Sequence, residues 1–325
     1  MALVVQKFGG TSVATAEARE ALAGQVARER GAGNRVVVVV SAMGRAGAPY
    51  ATDTLLGLVP TATPLVRDLV ASCGELISAC VVAELLRSKG MEAVPLSAYS
   101  AGVKAEGPFG DAEPVAADAG RIRGLVDEGI VPVVAGFQGV DAAGDLVTLG
   151  RGGSDTSAVA IGAFIGADRV DIFTDVPGVA QADPRVIPEA RFLPYFDYRS
   201  MYRLAANGAR VLHDRSALIG ERYGVRIRVR STFDSGEGTA IGPDPMGADA
   251  PALLGVAIVK GTEAARVAAV FRQGALAARL EALVAAAEAT GARREVSDDG
   301  DVAAFACAPD EAPRLAKALF AAAVK

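Results

Sequence analysis

The sequence predicts an α/β protein: an open, mainly parallel sheet sandwiched by helices, followed by a small α+β domain. Three observations lead there. Short apolar strand patterns alternate with helical ones from the first residues onward, as in a sheet with helices on both faces. Residues 36–40 are five consecutive valines, too apolar for a strand with one wet face. A Pro- and Gly-rich stretch at 242–249 then separates this pattern from a C-terminal part with its own β, β, α, β, β, α order.

The elements follow in sequence. Residues 2–6 form a strand that ends at Lys7-Phe8-Gly9-Gly10-Thr11-Ser12, and 15–30 reads as an Ala-rich helix. The valine strand at 36–40 gives way to a loop at 44–50. A long helix at 65–89 is closed by Gly90 and followed by a strand at 93–96. A helix at 117–127 and a strand at 131–135 come next. A hairpin turn at 141–145 precedes a strand at 146–149, and Gly150-Arg151-Gly152-Gly153 opens a helix at 154–167. The strand 170–173 ends at Thr174-Asp175. A helix at 216–223 and a strand at 225–229 complete the larger part, set at 1–243. The smaller part, 250–325, has strands at 253–258, 266–271, 293–296 and 302–307, with helices at 276–290 and 312–324.

Composition excludes several functions. The 325 residues are 51% hydrophobic but only 5% aromatic, without Trp, which describes an aliphatic core and not a set of base-stacking platforms. Acids outnumber bases, giving a net charge of −5, so no nucleic-acid partner is expected. No apolar stretch is expected to reach the roughly 18 residues of a membrane helix, and the chain starts directly in a strand, so a soluble, cytoplasmic protein without a membrane partner is expected. Cys73, Cys80 and Cys307 lack the number and spacing of a disulfide framework or a zinc site, and are expected to be buried small hydrophobes. With His213 the single histidine, Ser-His and Cys-His nucleophilic chemistry is disfavoured.

Three glycine-bearing turns, at 7–12, 41–47 and 150–155, sit at the carboxyl ends of predicted strands, the edge where open parallel sheets bind ligands. Paired glycines let successive N–H groups approach an anion, and a helix that follows adds its positive end. The Walker pattern is absent, because Lys7 precedes its glycines. Phosphoryl transfer needs cations, fixed donors and carboxylates. Lys7, the amides of Gly9-Gly10 and Gly152-Gly153, and Asp155 with Asp175 supply these parts. On the residues alone, Asp175 reads as a turn cap or a metal-nucleotide ligand, and Glu75 as a solvated helix charge or a site residue.

The strings KFGGTSV, VVVVVSAMG, SCGELIS, VAGFQG, TLGRGGSDTSA, FTDVPGV, ADPR and VRSTF, in this order over about the first 240 residues, resemble the bacterial aspartokinases. The resemblance implies the amino-acid-kinase fold with an ACT-like tail. It also implies ATP- and Mg2+-dependent phosphorylation of the side-chain carboxylate of L-aspartate, the first step toward lysine, threonine and methionine. Carried over residue by residue, Lys7 would stabilise the transferring phosphoryl group, with Gly9, Gly10 and Ser41 lining its site. Thr52 and Glu75 would hold the substrate amino group. Arg151 would clamp its α-carboxylate beside Ser154, and Asp155 would organise Lys7. Thr174, Asp175, Arg185 and Arg210 would contact nucleotide, the first three with magnesium. A homodimer or higher homo-oligomer is expected.

The chain departs from that pattern at Ala180, where relatives often have Tyr, at Arg210 in place of Lys, and at Asp214 after His213 in place of Pro. The tail has room for about one of the usual two ACT modules. Phe271-Arg272-Gln273-Gly274-Ala275 stands where an effector-binding turn is expected, so feedback by lysine or threonine is expected to be reduced or absent. Two alternatives stay open: a kinase of another acidic amino acid or a carbamate on the same fold, and a catalytically weak regulatory subunit.

Overall fold

The computed structural model describes residues 1–244, 246–247, 250–295, 297 and 299–324. In chain order the elements are β1 (Leu3–Phe8), α1 (Gly10–Val13), α2 (Ala16–Gly31), β2 (Arg35–Val40), α3 (Thr52–Leu56), α4 (Pro64–Ser88), β3 (Ala93–Leu96), α5 (Ala98–Ala101), β4 (Lys104–Glu106) and β5 (Glu113–Ala116). They continue with α6 (Ala119–Asp127), β6 (Val131–Ala135), β7 (Gln138–Val140), β8 (Leu146–Thr148), α7 (Gly153–Phe164), β9 (Arg169–Thr174), β10 (Tyr195–Asp197), α8 (Tyr198–Ala206), α9 (Asp214–Tyr223), β11 (Ile227–Ser231) and β12 (Thr239–Gly242). The last elements are β13 (Leu253–Lys260), β14 (Ala265–Phe271), α10 (Leu280–Glu288), β15 (Arg293–Glu295), β16 (Val302–Cys307) and α11 (Ala312–Val324). By packing, the chain divides into two units, Met1–Pro177 with Ile219–Gly238, and Gly178–Leu218 with Thr239–Lys325.

In the first unit six parallel strands run in the order β11-β9-β1-β2-β6-β3. The valine run explains why β2 is central: Val36, Val38 and Val40 face a core shared with Leu22 and Val26 of α2 and Val82 and Leu86 of α4. On the opposite face α7 lies close enough that a Cβ on Gly162 would meet Val170 at 2.5 Å, so only glycine lets helix and sheet approach there. Helix α2 starts where Thr15 accepts a hydrogen bond from the Ala18 N–H, an N-cap that satisfies one orphan amide. A buried ionic cluster ties β9 to its neighbours. Asp171, fully buried, lies 3.1 Å from Arg169 and 3.5 Å from Arg230, whose guanidinium stands 5.5 Å from the Phe173 ring centre.

A second, four-stranded sheet, β5-β4-β7-β8, is not expected from the sequence. It shifts one expectation about the site. The Gly150 turn leaves β8 of this mixed sheet and not a strand of the parallel sheet, because β8 is the return arm of the hairpin with β7. The first turn also moves: β1 extends through Lys7 and Phe8, so Lys7 is held in a strand.

Two further expectations are corrected. Cys73 and Cys80 are exposed and Cys307 half-buried, because the first two lie on the outward side of α4. Helix α4 is also long and apolar enough, by length and composition, to cross a membrane; half of that stretch is buried inside the protein.

In the second unit β10 and β12 pair in parallel. The antiparallel sheet β13-β14-β16-β15 carries α10 and α11 against it, around a core that includes Phe271, Leu283, Phe305, Leu315 and Leu319. Residues 276–279 form turns, so α10 starts later than expected. Pro245, Ala248 and Asp249 of the expected linker and Val296 of the expected strand 293–296 lie outside the described residues.

Candidate active site

Lys7 sits between Val39 of β2 and Ile172 of β9, near the carboxyl ends of the three central strands. It is only 8% exposed, so its ammonium needs a partner. The Lys7 Nζ lies 2.5 Å from the Asp155 carboxylate in the first turn of α7. A carboxylate near a helix N-terminus is favoured by the dipole there, which fixes the pair in one place.

Gly10 of the first turn is required by what surrounds it. A Cβ on Gly10 would lie 2.5 Å from the Gly44 carbonyl and 2.9 Å from that of Ala42. The 41–47 loop is thus packed directly on the first turn, and the Gly44 N–H donates to the Gly10 carbonyl at 3.0 Å, as the Ser41 N–H does to Phe8 at 3.1 Å. A Cβ on Gly9 would stand 3.6 Å from the Lys7 ammonium, an ordinary contact, so Gly9 lies against Lys7 without being forced by a clash. The first two turns are therefore one structure, and the third joins it through the Lys7–Asp155 pair.

Glu75 comes to the same place from α4. It is 2% exposed, and so not a solvated helix charge. One carboxylate oxygen accepts the Ala42 N–H at 3.0 Å, while the other, Oε2, is buried without a protein partner. Burial pushes its pKa from 4.5 up to about 8, against the opposite pulls of the Ala42 and Glu75 amides and the Lys7 charge. Thr52, half-buried, opens α3 at the end of the 41–51 segment.

Arg151 is exposed on a turn whose flanks, Gly150 at φ 72° and Gly152 at φ 71°, are left-handed. Ser154, 8% exposed, follows in the first turn of α7. Two residues that hold this turn were not singled out by the sequence. Asp68 of α4, buried, accepts the Thr148 N–H at 2.7 Å, the Thr148 hydroxyl at 3.0 Å and the Gly110 N–H at 2.9 Å, anchoring β8 just before the turn. Phe137, left-handed at φ 69°, donates its N–H to the Ser157 hydroxyl of α7 at 2.8 Å.

Thr174 ends β9 and Asp175 follows it, where the Thr174 hydroxyl donates to Asp175 at 3.1 Å. Asp175 is also paired at 2.9 Å with Arg45 of the 41–47 loop, a cation the sequence did not mark. Arg185, Arg210 and His213 belong to the second unit. There Arg185 pairs with Asp183 at 2.7 Å, Arg210 is exposed, and His213 lies 3.0 Å from Asp214.

The family model for the amino acid kinase family matches residues 2–231, which contain every residue just described. The chain belongs to the amino acid kinase family. Among relatives, it is 44% identical over 245 residues to aspartokinase 1 of Bacillus subtilis, covering 74% of this chain and 61% of that one. It is 42% identical over 262 residues to an aspartokinase of Thermus thermophilus, covering 79% and 63%. The chain spans about three fifths of the length of these relatives. Its fold is that of E. coli aspartokinase III solved with aspartate and ADP, with a TM-score of 0.81 at 21% identity, over 99% of this chain and 100% of that one. An amino acid kinase carrying a small antiparallel-sheet domain is thus the observed architecture.

Proposed function

We propose that this chain is the catalytic part of an aspartate kinase, which transfers the γ-phosphoryl group of ATP to the side-chain carboxylate of L-aspartate, giving 4-phospho-L-aspartate and ADP. The observation that carries the reading is the Lys7–Asp155 pair, 2.5 Å apart, where the glycine turns converge on the carboxyl edge of the sheet. The names of the relatives support the choice of substrate.

The chemistry follows from these groups. A side-chain carboxylate oxygen of the substrate attacks the γ-phosphorus, an O–P bond forms, and the bond to the β,γ-bridging oxygen breaks as ADP leaves. No general base is needed, because the acceptor is already ionised. Lys7 stands where negative charge grows on the migrating phosphoryl group, and Asp155 keeps its ammonium aimed there. Glu75, with Thr52, receives the substrate ammonium on its open oxygen, and Arg151, next to Ser154, receives the α-carboxylate, which suits the guanidinium fork. Gly9, Gly10 and Ser41 line the phosphoryl site, and Thr174 and Asp175 face the nucleotide. Asp175, a hard-oxygen donor beside the Thr174 hydroxyl, would hold a magnesium ion. Magnesium, when bound, neutralises charge on phosphate oxygens. Arg185 and Arg210 are assigned to the nucleotide on the family pattern.

The modules are proposed as 1–243 for catalysis and 250–325 as an ACT-like dimerising or regulatory part. The turn after β14 is held by Asp301, which accepts the Gly274 N–H at 2.6 Å. Because Phe271 to Ala275 stand where an effector-binding turn is expected, the proposal includes reduced or absent feedback by lysine or threonine. Tight lysine binding in isothermal titration would contradict this. The reaction itself is tested by trapping acyl phosphate with hydroxylamine, using ATP, magnesium and a panel of amino acids and carbamate. A product with aspartate and not with the others is expected; none with any acceptor refutes the proposal.

A further inference from the structure

The inward face of α4 carries Asp68, Ser72 and Glu75, at intervals of 4 and 3 residues, which places them in one row. All three are buried, and each holds a different piece of the surrounding chain. Glu75 accepts the Ala42 N–H of the 41–47 loop at 3.0 Å. The Ser72 carbonyl accepts the side-chain amide of Gln138 in β7 at 3.3 Å. Asp68 accepts the N–H and the hydroxyl of Thr148 in β8, and Thr148 is the cross-strand partner of Gln138. The β7–β8 hairpin is thus pinned to α4 at two levels. Asp68 also accepts the Gly110 N–H, and the Gly110 carbonyl lies 3.1 Å from where a Cβ on Gly150 would stand. The backbone at Gly110 is therefore packed against the base of the Arg151 turn.

We propose that Asp68 is a positioning residue for the α-carboxylate of the amino-acid substrate, holding the Arg151 turn at a fixed place relative to Glu75. On the proposed function, on which this inference rests, Glu75 receives the substrate ammonium and Arg151 the α-carboxylate, so the two receptors must keep one spacing. Asp68 and Glu75 stand seven residues apart on a single helix, two turns and about 10 Å along its axis. Arg151 itself is exposed, between Gly150 and Gly152, which bring no side chains to fix the turn. The Asp68 carboxylate supplies what the glycines lack. Its Oδ2 takes both the Thr148 and the Gly110 N–H, and its Oδ1 takes the Thr148 hydroxyl, two residues before Gly150. Burying a carboxylate against these uncharged donors carries a desolvation cost that an apolar contact between helix and hairpin would avoid. What the carboxylate adds is direction: three aimed bonds set the level at which β8 leaves for the turn, which packing alone does not.

The test uses the full chain and steady-state kinetics, with hydroxylamine trapping of the acyl phosphate. Asp68→Asn keeps the shape but turns an N–H toward other donors. It should raise KM for aspartate about 10-fold and leave KM for ATP unchanged. In an Arg151→Ala background the same substitution should raise KM for aspartate no further, because the group it positions is gone; a purely structural residue would act alike in both backgrounds. Thr148→Val removes only the hydroxyl bond to Asp68 and should give a smaller rise of the same kind. Circular dichroism checks folding, and if Asp68→Asn does not fold, Thr148→Val is judged by the same readouts. An unchanged KM for aspartate, a parallel rise in KM for ATP, or equal effects with and without Arg151 overturns the positioning role and leaves the proposed function standing. No acyl phosphate from the unsubstituted protein with any acceptor refutes the function and the positioning role together.

Discussion

Capture of an amino acid at Glu75 should expel a proton. Burial holds the Glu75 pKa at about 8, so the carboxyl is protonated in the free protein at neutral pH. At pH 7, one unit below that value, about 90% of molecules carry the proton. A substrate ammonium docking on the open Oε2 needs the ionised form, so binding at pH 7 should release about 0.9 proton per site. Affinity should accordingly fall about tenfold for each pH unit below 8. Titration calorimetry of aspartate in phosphate and in Tris at the same pH measures this, because the difference in heat divided by the difference in buffer ionisation enthalpy is the proton count. Glu75→Gln should abolish the difference. A wild-type protein with equal heats in both buffers, or a Glu75→Gln variant with an unchanged slope, would refute the reasoning. The same shift has a sign for stability. The folded chain holds the proton between pH 4.5 and about 8 while the unfolded chain has lost it. This contribution is therefore fully present below pH 4.5 and lost as pH rises through 8. The shift from 4.5 to about 8 amounts to on the order of 5 kcal/mol. Glu75→Gln should flatten that part of the pH–stability curve.

Lys7→Ala should lower turnover by about 10²-fold or more while the protein stays folded, as read by steady-state kinetics; unchanged turnover would remove Lys7 from its role. Arg151→Ala should raise KM for the amino acid and leave KM for ATP unchanged, and an effect on ATP alone would reassign the residue. Arg230→Ala removes one of the two cations beside the fully buried Asp171. It should cost about 3 kcal/mol, seen as a lower denaturant midpoint at constant slope.

The parallel sheet was legible because its strands are apolar on both faces and its glycines stand where the backbone must turn. Val36 to Val40 are buried to the last residue of β2, as a doubly covered strand requires. The small sheet was not legible. Lys104, Glu106, Glu113 and Pro114 leave β4 and β5 without an apolar period, and their place comes from pairing with distant residues. The burial of Glu75 left no signal, because α4 has an outward side open to water where a charge such as Glu84 is exposed, and its apolar residues do not mark which side faces in. Cysteine misled in the opposite direction, since its usual burial hid that Cys73 and Cys80 lie on the outward side of α4. Arg45 left no signal, because a loop cation pairs by proximity and not by period.

On the proposed assignment the charges around Lys7 should also couple the two substrates. In the free protein Lys7 is balanced by Asp155 and Glu75 is uncharged, so the pocket holds little net charge. Lys7 nevertheless draws the Glu75 pKa downward, the smallest of the pulls against burial. A phosphate chain that reaches Lys7 neutralises this pull, which leaves Glu75 more firmly protonated. The proton released by the amino acid should then be closer to one whole proton when nucleotide is already bound than when it is not. Reciprocity requires the nucleotide to feel the same coupling, so a pH rise through 8 that ionises Glu75 should weaken nucleotide binding to the amino-acid-free protein. Glu75→Gln, neutral at every pH, should lose both effects together, because a single carboxyl carries them.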